Sequence, residues 1–349
     1  MTVSIAFFNN KGGVGKTSLV YHLAWMLSDL GAKILTVDLD PQANLSAAFL
    51  EEDRLEELWT GAGEASTIFR CVQPLLRGTG DISEPRVEVI EDSLRLLPGD
   101  LSLSGFEDEL ASEWSGCLDR KERSFRIISA FWRIVQRALH RFDADLVLMD
   151  LGPNLGAINR AALIASDHVV IPVSPDLFSL QGLKNLGPTV RRWREEWLER
   201  LARKPEAADL DLPEGGMRPM GYVVLQHAVR LDRPVKAYAR WIARIPGVYR
   251  SEVLGETETD VTVEEDPNCL ALLKHYRSLM PLAQEARKPI FHLKPADGAI
   301  GSHLHAAQDA ASEFVNLSCK LIDRSQGPVI LERDRPVGQT PGAPAESNK

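Results

Sequence analysis

Cysteine, long apolar runs and an excess of positive charge are scarce or missing in this sequence of 349 residues. The four cysteines lie far apart and form no C-x-x-C pair, which argues against a metal or redox site and suits a reducing cytoplasm. No apolar run approaches the roughly 18 residues of a membrane-spanning helix. The start lacks the basic segment of a signal peptide. Because the net charge is −9, any contact with nucleic acid requires a local basic surface.

Short apolar runs alternate with amphipathic segments along the chain. The runs predict buried strands at 3–8, 33–38, 146–150, 169–173 and 222–225. Helical patterns lie between them at 17–30, 156–166 and 179–197. This alternation predicts an α/β fold with a doubly wound, mostly parallel sheet and helices on both faces, and ligands at the carboxyl ends of the strands.

The prediction for domain organisation is a single domain over residues 1–324. Less regular elaborations fall at about 51–141, and loops at about 204–217 and 256–268. The acidic segment 256–266 is interpreted as a solvated loop. Residues 325–349 are rich in proline, glycine and polar side chains, which predicts a disordered tail.

The segment 11–17, Lys-Gly-Gly-Val-Gly-Lys-Thr, lies between a predicted strand and a predicted amphipathic helix. Its glycines allow successive backbone N–H groups to point at phosphate oxygens, and the helix N-terminus adds its dipole. Lys16 can reach the β- and γ-phosphates, and the Thr17 hydroxyl can bind Mg²⁺. The pattern predicts a P-loop NTPase that contacts nucleotide through Lys11, Gly12, Gly13, Val14, Gly15, Lys16, Thr17 and Ser18. A glycine-rich turn without a ligand is the alternative, which two lysines and the threonine disfavour.

Carboxylates follow two other predicted strands. Asp38 and Asp40 stand in the segment Asp-Leu-Asp-Pro-Gln-Ala-Asn at 38–44, and Asp150 ends the strand at 146–150 in the manner of a Walker B motif. Parallel strands bring their carboxyl ends to one edge, so these side chains are expected to face the nucleotide crevice. Asp150 is expected to hold Mg²⁺ through water. For Asp38, capping of the following helix is the alternative interpretation.

Lys11 narrows the class, because Lys16 already serves the phosphates and an ordinary Walker A motif needs no earlier lysine. The segment resembles the deviant Walker A motif of the ParA/MinD family, and the segment 38–44 resembles switch I of ParA-type ATPases. The resemblance implies that Lys11 crosses a dimer interface to the partner's nucleotide, that Asp40 positions or activates the attacking water, and that Asp38 supports the Mg²⁺ shell. A solvated lysine at the loop edge is the other interpretation of Lys11.

The resemblance continues through the segments 94–101, 165–183 and 281–311, and therefore spans about residues 2–324. Gln226 ends a predicted strand where family members place a residue that contacts adenine. Family members usually show D-x-P-P-S-L-G after the Walker B aspartate. Gly152 and Asn154 depart from this pattern, which puts the stiffness of switch II and the stimulated rate in doubt.

The resemblance implies a weak, partner-stimulated ATP hydrolase that uses ATP and Mg²⁺, forms a homodimer on ATP binding, and acts in partitioning of DNA or positioning of another cargo with a ParB-like activator. A regulatory, ATP-gated interaction module without DNA binding is the alternative. ATP-driven metal or cofactor insertion is a third possibility, which the lack of paired cysteines disfavours.

A basic surface for non-specific DNA binding is predicted from spacing. Arg233, Lys236, Arg240 and Arg244 fall at i, i+3, i+7 and i+11, so on a helix they would share one face. A solvated face is the alternative. The proline-containing segment 327–349 is no amphipathic helix, so we expect no membrane contact. The expected location is the cytoplasm, or the nucleoid if DNA is bound.

Overall fold

The computed structural model describes residues 2–60, 67–206, 210–227, 229–230, 233–234, 236–257, 260–274, 276, 278–327, 329–332 and 337. Part of the elaboration at 51–141, residues 61–66, and most of the predicted tail lie outside the described residues. Within the tail, the N–H of Glu332 donates to the carbonyl of Leu30 at 2.9 Å. Val329 and Leu331 pack against the core, so this part of the tail contacts the domain.

The described strands are β1 (Val3–Phe7), β2 (Ile34–Leu39), β3 (Glu88–Glu91), β4 (Leu94–Leu97), β5 (Leu146–Leu151), β6 (His168–Val173), β7 (Arg218–His227), β8 (Val229–Arg230), β9 (Arg233–Pro234) and β10 (Cys269–Lys274). Eight of them form one sheet in the order β10-β7-β6-β1-β5-β2-β4-β3. Every pairing in this sheet is parallel except that of β3 with β4. The predicted doubly wound, mostly parallel sheet is therefore confirmed.

The described α-helices are α1 (Lys16–Asp29), α2 (Asn44–Phe49), α3 (Glu52–Thr60), α4 (Ile68–Arg77), α5 (Glu107–Gly116), α6 (Glu122–Ile128), α7 (Ala130–Arg141), α8 (Ala157–Ile164), α9 (Leu177–Leu201), α10 (Lys236–Ile242), α11 (Ile245–Val248), α12 (Leu279–Ala286) and α13 (Ser302–Ser325). Shorter 3₁₀ turns span Leu101–Phe106, Ile290–His292 and Pro295–Asp297, and a π-helical turn spans Tyr249–Leu254. None of the helices in the described ranges is long and apolar enough to cross a membrane.

Each face of the sheet packs a separate core, because successive side chains of a strand point to opposite faces. Along β1 and the residue after it, Ile5 and Phe7 join the core formed with α1 and α13, whereas Ala6 and Phe8 join the core formed with α7, α8 and α9. All four side chains are fully buried. A central strand covered on both faces explains why the run at 3–8 is continuously apolar.

The acidic segment at 256–266 is only partly a solvated loop. Asp266 is buried at 3% exposure. It accepts a hydrogen bond from the Tyr222 hydroxyl at 2.8 Å, and it lies 3.7 Å from the guanidinium of Arg250. Its carboxylate therefore stabilises the end of the sheet near β7.

The predicted helical stripe of basic residues is wrong. Arg233 lies in β9, Lys236 and Arg240 lie on α10, and Arg244 follows the end of that helix. Arg233 precedes Pro234, and a residue before proline is disfavoured in the helical region. Two exposed arginines keep a common neighbour, since Arg240 and Arg244 lie 5.3 and 5.5 Å from the ring of Trp241.

An aromatic cluster joins α1 to α13 and to the 3₁₀ turn that contains Phe291. At its centre, the His22 ring stacks on Phe314 with ring centroids 5.4 Å apart. The His22 Nδ1 atom lies 2.7 Å from the carbonyl oxygen of Ser18, one turn earlier in α1. Burial lowers the pKa of His22 to about 4, since the charged imidazole would lose its hydration.

His22 should make the domain sensitive to acid. Below the ordinary histidine pKa of 6.5 the unfolded chain takes up a proton that the folded chain refuses until about pH 4, so stability falls as pH falls through this window. We expect the difference in unfolding free energy between wild type and His22→Gln to shrink by about 1–3 kcal/mol from pH 7 to pH 4.5. Denaturant unfolding at a series of pH values measures it. The exposed His140 supplies the control variant His140→Gln, and parallel pH profiles for wild type and His22→Gln would contradict the prediction.

Candidate functional site

The segment 11–17 forms a loop between the carboxyl end of β1 and the N-terminus of α1. Gly13 and Gly15 adopt φ angles of 73° and 91°, in the left-handed region that favours glycine. Gly15 is the N-cap residue of α1, and no side chain caps the helix there. The first N–H groups of α1 are thus left to bind an anion.

Lys16 and Thr17 both contact the carboxylate of Asp150. The Lys16 Nζ atom lies 2.6 Å from Oδ1 of Asp150, and the Thr17 hydroxyl donates to Oδ2 at 2.6 Å. Asp150 is fully buried and Lys16 is 6% exposed. Burial raises the pKa of Asp150, although the Lys16 ammonium opposes the rise. The pair therefore ties β5 to the phosphate-binding loop.

A cleft of about 690 Å³ opens beside this loop. The whole of the segment 11–18 lines the cleft, together with Asp40 and Pro153. Residues of α1, of α12 and of the turn after α12 also line it and were not predicted: Tyr21, His22, Met280, Ala283, Gln284, Arg287 and Lys288. The segment 281–311 carried the family resemblance, and this was the signal that could have assigned its residues to the site.

Asp40 lines the cleft and is 4% exposed. Its Oδ1 atom accepts the N–H of Gln42 at 3.0 Å, which fixes the carboxylate at the end of β2. A Cβ atom at position 152 would lie 3.4 Å from the same oxygen, so Gly152 brings the loop after β5 close to Asp40. This placement puts a carboxylate beside the phosphate-binding loop, as the sequence predicted, while its role towards water remains a prediction.

Asp38 lies behind the cleft and is fully buried. Its Oδ2 atom accepts hydrogen bonds from the N–H and the hydroxyl of Ser46, at 2.8 and 2.7 Å. Ser46 is in the first turn of α2, so the geometry matches the capping interpretation, and a role for Asp38 in the Mg²⁺ shell stays a prediction. Burial, together with the neighbouring carboxylate of Asp150, raises the pKa of Asp38 to about 7.

Two residues that the sequence analysis did not assign complete this arrangement. The Ser46 hydroxyl accepts the N–H of Gly99 at 2.8 Å. A Cβ atom at position 99 would lie 2.8 Å from Cγ of Asp38, so only glycine allows the approach. The Pro-Gly segment after β4 therefore supports the carboxylate of Asp38 from behind.

Lys11 forms an ion pair with Asp176 of its own chain. Asp176 is the N-cap residue of α9, where its other carboxylate oxygen accepts the N–H of Ser179 at 2.8 Å. Burial alone would raise the pKa of Asp176, but hydrogen bonds from Lys11 and from the Ser179 N–H outweigh it and hold the pKa below its usual value. The predicted role of Lys11 across a dimer interface stays a prediction.

The loop after Asp150 is held by side chains outside the switch II motif. The Asn159 amide donates to the carbonyls of Gly152 and Asn154 at 2.9 and 2.7 Å. The Glu107 carboxylate accepts the first N–H groups of α8, with a distance of 2.9 Å to the N–H of Ile158. These contacts hold the backbone of the loop, and the effect of the departures at positions 152 and 154 on the hydrolysis rate stays a prediction.

The residues suit a hard divalent cation that shares its ligands with phosphate. The Thr17 hydroxyl and the Asp150 carboxylate lie side by side, in a direct hydrogen bond of 2.6 Å, and Mg²⁺ prefers oxygen ligands of these two kinds. No group of three or more His, Cys, Asp or Glu side chains in the described ranges could hold a metal ion unaided. Gln226 lies in β7, but its side chain falls outside the description, so its contact with adenine stays a prediction.

Solved structures with similar folds include ATP-binding proteins. A protein from Corynebacterium diphtheriae aligns with a TM-score of 0.65 and 24% identity over 93% of this chain and 98% of its own. The complex of a Cyanothece McdA variant with ATP aligns with a TM-score of 0.57 and 18% identity over 90% of this chain and 96% of its own. At these identities the likeness supports the fold alone.

Proteins with similar sequences include a sporulation inhibitor and a chromosome partitioning protein. The sporulation initiation inhibitor protein Soj of Bacillus subtilis is 32% identical over 188 residues, which are 54% of this chain and 64% of the relative. The chromosome partitioning protein ParA of Caulobacter vibrioides is 31% identical over 198 residues, which are 56% of this chain and 65% of the relative. Both alignments thus span just under two thirds of the relatives' own length.

The family model AAA_31, described as an AAA domain, matches residues 2–202, which include the phosphate-binding loop, Asp40 and Asp150. The chain belongs to this family and is a P-loop ATPase of the ParA/MinD type.

Proposed function

We propose that the chain is a cytoplasmic, ATP-dependent dimer switch that hydrolyses ATP slowly and acts in partitioning of DNA or positioning of another cargo. The observation that carries the proposal is the convergence of Lys16 and Thr17 on Asp150 beside a cleft lined by the whole loop 11–18. The names of the relatives, chromosome partitioning protein ParA among them, support the cellular role.

The loop supplies the contacts that a triphosphate requires. Its two left-handed glycines turn the backbone N–H groups towards the cleft, and the uncapped start of α1 adds its dipole. The ion pair with Asp150 fixes the Lys16 side chain beside the loop, so less ordering is needed when its ammonium binds phosphate oxygens. Binding then exchanges one anionic partner of Lys16 for another.

Thr17 and Asp150 would hold Mg²⁺, the former directly and the latter through water. Mg²⁺, when bound, supplies positive charge against the β- and γ-phosphate oxygens. The chain's own residues do the rest of the work: Lys16 neutralises charge on the phosphates, and Asp40 orients the water that attacks. In the dimer, each Lys11 adds a positive charge at the other subunit's nucleotide, akin to an arginine finger.

Hydrolysis would be slow, because catalysis of this kind consists mostly of positioning and of electrostatic stabilisation. Loss of the γ-phosphate would release the loops that contain Asp40 and Gly152, and the dimer would separate. A partner that improves the positions of Asp40 and Lys11 would accelerate the reaction, which is the part we assign to a ParB-like activator.

DNA is a candidate partner through the exposed arginines beside Trp241, Arg240 and Arg244. Binding by these side chains would be independent of sequence and would weaken with salt. The predicted four-residue stripe does not form, and this favours the second candidate, an ATP-gated interaction module that binds no DNA. ATP-dependent, salt-sensitive retention on DNA of arbitrary sequence distinguishes the two.

Removal of the Lys16 charge should abolish nucleotide binding. Lys16→Ala leaves Asp150 buried without its cation and takes away the main charge for the phosphates, so the Kd for MgATP should rise by about 100-fold or more. Isothermal titration calorimetry measures the affinity, and circular dichroism checks that the variant folds. Lys16→Gln serves as a second variant of similar size, and Lys33→Ala, at an exposed lysine, is the control. Unchanged affinity in both Lys16 variants would overturn the ATP-binding role.

Asp40→Ala should separate binding from hydrolysis. The variant keeps the phosphate-binding loop and loses the carboxylate that orients water, so we expect hydrolysis to fall about 100-fold or more while ATP still binds. The ATP-bound dimer should then persist in size-exclusion chromatography. Asp53→Ala removes an exposed carboxylate on α3 as the control, and normal turnover by Asp40→Ala would show that another group positions the water.

A further inference from the structure

We propose that Asp176 is a positioning residue that holds Lys11 within its own subunit and opposes the use of Lys11 by a partner until ATP binds. The inference rests on the proposed function only for its second half, the release of Lys11 into a dimer. Its first half, the hold itself, concerns the nucleotide-free chain and can be tested there.

Asp176 is held in place, so it acts as a fixed anchor. One carboxylate oxygen accepts the Ser179 N–H at 2.8 Å as the N-cap of α9, and the other receives the Lys11 ammonium. The Ser179 hydroxyl in turn accepts the N–H of Ser174 at 3.1 Å, which fixes the turn from β6 into α9. Since the carboxylate costs little further ordering, the pair with Lys11 is stronger than one between two free side chains.

The backbone before Lys11 is docked against β6, the strand that leads into this turn. The Asn9 amide donates to the carbonyl of Pro172 at 2.6 Å, and its oxygen accepts the Lys11 N–H at 3.0 Å. On α9, a Cβ atom at position 182 would lie 2.9 Å from Oδ1 of Asn10, so glycine there permits the close approach of helix and loop. Backbone and side-chain contacts thus direct Lys11 towards α9.

The pair is also weak enough to open. The Lys11 and Asp176 side chains are 27% and 37% exposed, so water competes for both charges. Lys11 also lines the cleft. Its ammonium therefore has two possible anionic partners, Asp176 in its own chain and, in the proposed dimer, a triphosphate. One dimer needs the Lys11–Asp176 ion pair of both subunits to open, so the free-energy cost of opening it counts twice.

Asp176→Asn tests the hold, because asparagine keeps the N-cap and removes only the charge. Asp176→Ser is a second capping variant without charge. Glu199→Gln is the matched control, since Glu199 lies near the other end of α9 and its carboxylate forms an ion pair with Arg203 at 2.9 Å. Thermal unfolding checks that all three remain folded.

The first readout is the rate at which an amine reagent modifies Lys11 in the nucleotide-free monomer, followed by mass spectrometry. We expect Lys11 to react about 2- to 5-fold faster in Asp176→Asn and Asp176→Ser than in wild type, the size expected for a partly exposed ion pair. Glu199→Gln should match wild type. Equal rates in all four proteins would overturn the proposal whatever ATP does.

The second readout is the dimer dissociation constant at saturating MgATP, from analytical ultracentrifugation. Asp176→Asn removes the ion pair from both subunits, so it should lower the dimer dissociation constant about 4- to 25-fold. In a Lys11→Ala background the same change should leave this constant unaltered. An unchanged or higher dimer dissociation constant in Asp176→Asn would contradict the proposal that the ion pair opposes dimer formation. If wild type forms no dimer with ATP, the proposed function fails, and the amine modification then decides the hold by itself.

Discussion

The contact of Asp150 with Lys16 and Thr17 is the interaction on which the rest of the site depends. A fully buried carboxylate is costly unless a cation and hydrogen-bond donors pair with it, and the phosphate-binding loop provides both. The same requirement acts in reverse, because Lys16 would be a buried charge without Asp150. The loop is therefore kept in shape without nucleotide.

The order of the strands explains why the acidic residues gather there. β5 lies between β1 and β2, and in the register of the sheet Asp150 stands beside Phe7 on one side and Asp38 on the other. Burial raises the pKa of Asp38, and repulsion from the carboxylate of Asp150 at the adjacent strand end adds to the rise. Hydrogen bonds from Ser46, which is itself held by the N–H of Gly99, offset part of the cost of burying the Asp38 carboxylate. Asp40, in contrast, lines the cleft.

The parts of the site that the sequence predicted are those set by local chemistry. Gly13 and Gly15 adopt backbone angles that favour glycine, and the strand before them and the helix after them follow from their own periodicity. Specific partners were missed: Ser46 for Asp38, Asp176 for Lys11, and α12 for the lining of the cleft. For Asp38 the sequence offered only capping of the following helix in general, for α12 only the family resemblance of the segment 281–311, and for Lys11 no signal, because Asp176 is distant along the chain. The basic stripe failed for a local reason, because a helical spacing was assumed across Arg233 and Pro234 although this dipeptide favours extended backbone.

The capping of α8 by Glu107 ties an elaboration of the fold to the loop after the Walker B strand. Glu107 begins α5, and its carboxylate receives the first amides of α8, whose Asn159 grips Gly152 and Asn154. A displacement of α5 can thus reach the loop after Asp150 through these contacts, without passing through the sheet. The part of the chain between Asp40 and Asp150 is therefore coupled to the loop beside the cleft through the contact of Glu107 with the N-terminus of α8.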